Sequence, residues 1–150
     1  MNNNPFIKIF NTGDSSSTLP LRLTAGIVFT AHGAQKLFGW FGGYGLEGTG
    51  QFMASLGMDP GLLMALLAGG AEFFGGIALL LGLAVRPASL LLAITMLVAI
   101  ASVHLPNGLF LSNNGYEFGL VLLGLSVALL IQGAGRWSMD ALIVRKLQAS

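Results

Sequence analysis

Cysteine is absent from this chain of 150 residues. Without thiols the protein cannot form disulfides, carry out thiol redox chemistry or bind a metal through thiolate ligands. The sequence also lacks a nucleotide-binding glycine pattern at a strand-to-helix junction and a haem attachment motif. Any redox role would therefore require a bound cofactor or a partner protein.

Charged residues are also scarce, at 9% of the chain, compared with about 25% in soluble domains. Hydrophobic residues make up 54%, and the mean hydropathy is +0.78. The net charge of +1 provides no basic surface for nucleic acid. The 22 glycines are typical of closely packed membrane helices. The composition predicts a membrane protein with one domain in the lipid bilayer, and it argues against nucleic-acid binding.

Apolar segments and turn signals predict an all-α fold, a membrane-spanning four-helix bundle with short amphipathic helices at the interfaces. The predicted spans cover about residues 20–41, 61–83, 87–105 and 116–133. They form a transmembrane domain over 20–133, between a polar cytoplasmic segment at 1–19 and a cytoplasmic amphipathic tail at 134–150. Within the last span, Glu117 is predicted to share a face with Val121, Gly124 and Ala128.

Three hydroxyl residues are predicted to cap helices. Thr18 is placed before the first span, and Thr49 before a short helix in the loop that follows it. Ser138 is placed before an amphipathic helix in the tail, whose Arg145 and Lys146 are expected to face water.

The distribution of cations predicts the orientation. The N-terminal segment, the turn before Pro87 and the tail carry six of the seven basic residues, while the two other connections carry none. These six are Lys8, Arg22, Arg86, Arg136, Arg145 and Lys146. The positive-inside rule places both termini in the cytoplasm. Arg22, at the start of the first span, is expected to snorkel to the headgroups.

Ionisable residues inside the spans are the candidate functional residues, because charges in hydrocarbon are costly and normally face protein or a cavity. His32 and Lys36 lie one turn apart on one helix face. Glu72 shares a face with the small residues Ala65, Gly69 and Gly76 at a similar depth, so we expect it to contact the first helix.

Beyond the first residues of each span, the ionisable residues lie in the middle or outer half of the bundle, which suggests a polar pocket open to the outer side. His32, Lys36 and Glu72 are the candidate catalytic residues. The candidate ligand or pocket residues are Arg22, Gln35, His104 and Glu117.

Two other interpretations of these ionisable residues are considered. A buried polar network can serve only to fix helix register, and a His/His/carboxylate metal set is disfavoured because no local ligand spacing is present.

Four segments resemble the DoxX family of small four-helix membrane proteins over about residues 20–142. The first helix reads R-L-x-x-G-x-x-F-x-x-H-G-x-x-K-L-F-G from Arg22 to Gly39. It is followed by GGYGLEGTGQFMASLGMDP, GGAEFFGGIALLLGL and, near the end, GRWSMDAL. The resemblance implies a multi-pass protein of the bacterial cytoplasmic (inner) membrane.

Relatives within this family are linked to thiosulfate:quinone oxidoreduction or to quinones and catechols, and His32, Lys36 and Glu72 match its shared residues. The resemblance therefore implies a quinone-linked redox or redox-accessory protein. Its substrate or ligand would be a quinone, or a small anion such as thiosulfate, and its electrons would come from a soluble redox partner or a small reductant. The alternative is a non-catalytic membrane subunit or small-molecule binder that docks a partner protein. Homo-oligomers are compatible with both hypotheses.

The predicted orientation can be tested on the natural background without cysteine. A cysteine introduced at Glu47 or Asn113 should react with an impermeant thiol reagent added to the outside of intact cells. A cysteine at Ser150 should react only after the membrane is opened. The reverse labelling pattern would contradict the orientation and the depths assigned to the polar residues.

Overall fold

A computed structural model describes residues 10 and 12–149, and all of the regular structure in that range is helical. The predicted all-α fold is confirmed for these residues. Lys8, the rest of 1–9, Asn11 and Ser150 lie outside them, so the predicted location of both chain ends is not addressed. The helices are α1 (Thr18–Phe38), α2 (Gly45–Ser55), α3 (Gly61–Leu81), α4 (Val85–Ala99), α5 (Glu117–Gln132) and α6 (Met139–Ala149).

Short turns complete the framework. Single 3-10 turns lie at Trp40–Gly42, Leu105–Asn107 and Leu111–Asn113, and a π-helical turn at Ile100–His104 extends α4. The first helix ends at Phe38, earlier than the predicted residue 41, because Gly39 has a φ of 71° and terminates it in the left-handed conformation.

Two of the three predicted helix caps are wrong. Thr18 is the first residue of α1, and its hydroxyl donates to the carbonyl oxygen of Ala134 at 3.0 Å. Thr49 lies within α2 and donates to the carbonyl oxygen of Lys36 at 3.4 Å. In both cases a distant segment supplies the acceptor. Ser138 is confirmed as a cap, since its hydroxyl accepts from the Ala141 N–H at 3.1 Å.

Two helices of the described chain, Gly61–Leu81 and Val85–Asn107, are long and apolar enough to cross a membrane. The first helix has 21 residues but contains Arg22 and Lys36. The apolar α5 has 16 residues, or about 24 Å at 1.5 Å per residue, which is shorter than a hydrocarbon core of about 30 Å. The arrangement with four crossings therefore stays a prediction.

Glycines allow α1 and α3 to pack closely along their length. A Cβ atom built on Gly76 would lie 2.5 Å from the backbone nitrogen of Thr30 and 2.9 Å from the carbonyl oxygen of Gly26. Gly33 is equally confined, against the backbone of Phe73. Small residues permit this approach between helices in lipid, where van der Waals packing replaces the hydrophobic effect as the driving force.

Apolar side chains cover much of the outer surface. Ile27, Leu67, Phe74 and Ile131 are 62%, 58%, 65% and 68% exposed. Large apolar side chains exposed in such number on α1, α3 and α5 are typical of a surface that contacts lipid rather than water. Lipid contact accounts for this exposure.

The buried side of α5 is not the side that carries Glu117 and Val121. Leu122, Ser126 and Leu129 are its buried residues, whereas Val121 is 59% exposed. Because α5 is apolar on all sides, its sequence pattern did not indicate which side would pack.

The close α1–α3 contact predicts opposite effects for two glycines of α3. Gly76→Ala should lower the melting temperature, because the added methyl group meets the backbone of α1. Gly70→Ala is the matched control, since no atom lies within 4 Å of its Cβ position, and it should be neutral or stabilise by up to about 1 kcal/mol. Thermal unfolding in detergent, followed by circular dichroism, measures both. Equal effects would contradict the close packing.

Candidate functional site

A buried ion pair joins α1 to α3. The Lys36 ammonium donates to Glu72 Oε2 at 2.5 Å. The Glu72 side chain is 2% exposed and that of Lys36 is 27% exposed. Gly69 and Gly76 are buried on the same side of α3 as Glu72. The prediction that Glu72 contacts the first helix is confirmed, and its partner there is Lys36.

Local sequence explains how the pair forms. A Cβ atom on Gly69 would approach Lys36 Cβ to 3.1 Å, so the glycine makes room for the lysine stem. The carbonyl oxygen of Lys36 accepts the hydroxyl of Thr49, which connects α2 to the same position. Removing either charge of a buried pair leaves the other without a partner in a medium of low dielectric constant. The pair therefore constrains both helices.

His32 lies one turn from Lys36 but packs against a different helix. Its half-buried ring is 6.0 Å from the ring of Phe118 on α5, at an interplanar angle of 49°. Within the described residues, His32 has no hydrogen bond or ion pair to Lys36 or Glu72. The structure thus brings Lys36 and Glu72 into direct contact and places His32 beside them on α1.

Three further candidates contact loop backbone at the end of the bundle where Lys36 lies. Gln35 Nε2 donates to the carbonyl oxygen of Phe41 at 3.3 Å. His104 Nδ1 is 2.9 Å from the carbonyl oxygen of Asn114, and Glu117 Oε1 accepts from the Leu111 N–H at 2.5 Å. These contacts hold the turn after α1 and the loop before α5. A pocket role for Gln35, His104 and Glu117 stays a prediction.

Arg22 does not snorkel, and that prediction is wrong. Its side chain is 1% exposed, and its Nη2 donates to the carbonyl oxygen of Trp137 at 2.6 Å. The segment between α5 and α6 supplies this acceptor, and the guanidinium is held inside the protein. Arg22 lies about 21 Å along α1 from Lys36, so the two belong to opposite ends of the bundle.

Asp140, beside Arg22, is a structural residue that the sequence predictions missed. Its carboxylate accepts from the backbone N–H groups of Ala84 and Val85 at 2.7 and 3.0 Å, and so caps α4 from a distant segment. Burial raises the pKa of the Asp140 carboxyl above its usual value, while hydrogen bonds from Val85 and Ala84 and the charge of Arg22 oppose that rise. The only signal in the sequence was its place in the segment GRWSMDAL.

The cavities among the described residues include the following two. One of about 430 Å³ is lined by Glu47, Gly50, Gln51, Ala54, Gly61 and Leu62. One of about 90 Å³ is lined by Thr12, Gly13, Asp14, Arg136, Ala141, Val144 and Arg145. Neither is lined by Lys36 or Glu72. In the described range no three His, Asp or Glu residues are grouped as metal ligands.

The buried pair predicts strong coupling between two substitutions. Lys36→Met should cost about 3 kcal/mol or more of unfolding free energy, because it leaves the buried Glu72 carboxylate unpaired. The double variant Lys36→Met, Glu72→Leu should recover most of that loss, since apolar residues can replace a buried pair at small cost. Thermal or denaturant unfolding of the single and double variants gives the coupling energy. Costs that simply add would contradict a direct pair.

The sequence is similar to one protein family and to several known proteins. The family described as DoxX matches residues 17–105. A Bacillus subtilis protein named "Putative oxidoreductase CatD" is 36% identical over 112 residues, which cover 75% of this chain and 77% of the relative.

Two further relatives cover more of the chain. An uncharacterized membrane protein of Mycobacterium tuberculosis is 34% identical over 147 residues, with 89% of this chain and 85% of the relative covered. An uncharacterized protein of Haemophilus influenzae is 30% identical over 138 residues, with 91% and 89% covered. No solved structure matches.

Proposed function

The chain belongs to the DoxX family and is a membrane protein, and from this we propose that it is a quinone-linked redox or redox-accessory protein. Its site is the Lys36–Glu72 pair with His32 beside it, in a polar pocket that opens toward the outer side. It crosses the bacterial cytoplasmic membrane four times with both termini in the cytoplasm.

The observation that carries the proposal is the asymmetry of the ion pair. Glu72 is almost fully buried, whereas the Lys36 side chain is 27% exposed. An ammonium group has three N–H donors, so Lys36 can bind Glu72 and still donate to an incoming oxygen. Intramembrane ionisable residues in such a position mark ligand or proton pathways more often than they mark lipid contacts.

A quinone suits these groups chemically. Its reduction to the quinol takes up two electrons and two protons at the two ring oxygens. Lys36 would donate a hydrogen bond to one carbonyl oxygen, and the half-buried His32 would approach the ring as a proton donor. Glu72 would relay a proton to the site through its contact with Lys36.

The sequence has no cysteine, no nucleotide-binding glycine pattern and no haem attachment motif, so the electrons would come from outside the chain. Their source would be a soluble redox partner or a small reductant such as thiosulfate, whose negative charge Lys36 would attract. The oxidoreductase name of the Bacillus subtilis relative supports a redox role.

The second candidate function is a non-catalytic membrane subunit or small-molecule binder that docks a partner protein. The observation in its favour is that Lys36 and Glu72 satisfy each other, while Gln35, His104 and Glu117 contact loop backbone. A purely structural network would have the same contacts. The first experiment is an ultraviolet-visible scan and an organic extract of the purified protein. A retained quinone would favour the redox hypothesis over the non-catalytic function.

Ligand affinity and stability, measured on the same variants, distinguish the quinone-linked redox function from the non-catalytic function. The double variant Lys36→Met, Glu72→Gln removes both charges without leaving one unpaired, and His32→Phe keeps a ring but removes both nitrogens. Each should weaken quinone binding by about 10- to 150-fold, the equivalent of about 1.5–3 kcal/mol for a charged hydrogen bond, with little change in melting temperature.

Glu47→Gln is the matched control for loss of a carboxylate, because Glu47 is exposed on α2. It should leave quinone affinity unchanged. Unchanged affinity in the double variant and in His32→Phe would remove the case for a quinone site on α1. A fall in melting temperature with partner binding preserved would support the non-catalytic function.

A further inference from the structure

The 90 Å³ cavity lies at the opposite end of the bundle from the ion pair, between the segment before α1 and the segment that enters α6. Two cations, Arg136 and Arg145, line it together with Thr12, Gly13, Asp14, Ala141 and Val144. With one carboxylate among these residues, its lining carries a net positive charge. A cavity of this volume has room for several water molecules and therefore for a phosphate group.

Specific contacts across the chain hold the cavity together. The N–H of Gly135 donates to the hydroxyl of Thr12, and the N–H of Arg136 donates to the carbonyl oxygen of Ser15 at 3.1 Å. Ser138 caps α6. Within that helix Ala141 and Arg145 are four residues apart and therefore share one face. The cavity that both arginines line is thus formed by packing between the two ends of the described chain.

Three exposed apolar residues lie within two positions of the cavity lining in the sequence. Trp137, Met139 and Leu142 are 62%, 42% and 58% exposed. The guanidinium of Arg136 lies 5.5 Å from the centroid of the Trp137 ring, within the range of a cation–π contact. Tryptophan beside arginine is typical of the membrane–water interface, where the ring meets the headgroups.

We propose that this cavity binds the phosphate of an anionic phospholipid headgroup. Arg136 and Arg145 donate hydrogen bonds to the phosphate oxygens, which suit the planar guanidinium fork. Trp137, Met139 and Leu142 enter the adjoining layer of the bilayer. Free phosphate would satisfy the two arginines but would leave these apolar side chains in water, so a lipid accounts for both features. The inference is independent of the quinone site.

Trp137 can report on the lipid beside the cavity. The chain has two tryptophans, so Trp40→Phe leaves Trp137 as the single fluorophore. This variant is placed in nanodiscs of one fixed mixture of phosphatidylglycerol and phosphatidylcholine, with brominated acyl chains on either the anionic or the neutral lipid. Stronger quenching by the brominated anionic lipid is expected. Equal quenching by the two lipids would overturn the proposal.

Neighbouring residues give controls on the Trp40→Phe background. Arg145→Gln should lower the preference for anionic lipid about fivefold, the loss of one cation at a charged surface. Lys146→Gln removes the same charge one residue along but outside the cavity lining, and it should have a smaller effect. Asp14→Asn should raise the preference, because it removes the one carboxylate in the lining. Equal losses for Arg145→Gln and Lys146→Gln would overturn a specific site in favour of diffuse surface charge.

Competition with inorganic phosphate shows whether the cavity binds the phosphate of a lipid or the free anion. Inorganic phosphate, compared with chloride at equal ionic strength, should leave the difference in quenching unchanged. If inorganic phosphate abolishes that difference in the parent variant but not in Arg145→Gln, the cavity binds the free anion and the lipid proposal is wrong.

Discussion

The pairing of Lys36 with Glu72 is the constraint around which α1, α2 and α3 are arranged. A carboxylate that is 2% exposed needs a partner at hydrogen-bonding distance, because neither lipid nor apolar side chains can replace its hydration. Only close helix packing brings the lysine there, and the glycines of α3 allow that packing. Thr49 of α2 contacts the lysine backbone. The ion pair therefore requires the close packing that the glycines of α3 allow, and in turn it holds α1 against α3.

The opposite end of the bundle uses buried polar groups to hold the chain together. Arg22 donates to Trp137, Thr18 donates to Ala134, and Asp140 caps α4. Together these contacts close the end of the helices with the segment between α5 and α6 and the first turn of α6. At this end Arg22 Nη2, the Thr18 hydroxyl and the Asp140 carboxylate bond to backbone groups of distant segments, whereas Lys36 at the other end keeps part of its side chain accessible. That difference is why the candidate site is assigned to the Lys36 end.

The absence of cysteine limits the redox chemistry that the candidate site could carry out. The side chains present can hold an oxygen atom, supply protons and attract an anion, but they do not store electrons. The chain's own contribution to a redox reaction would be binding and proton handling, with electrons supplied by a partner or a small reductant. Because the electrons would come from elsewhere, ligand affinity can be measured on variants of the ion pair without a complete redox system.

The sequence by itself determined the helical fold, the existence of the main helices, the Ser138 cap and the orientation of Glu72 toward the first helix. These features depend on local patterns: apolar length, a hydroxyl at a helix start, and an acid on a face of small residues. Tertiary structure alone decided the burial of Arg22, the partners of Thr18 and Thr49, the buried face of α5 and the capping of α4 by Asp140. Each of these depends on which distant segment covers a given surface, and a helix that is apolar on every side, or a polar side chain near a helix end, is compatible with several such neighbours.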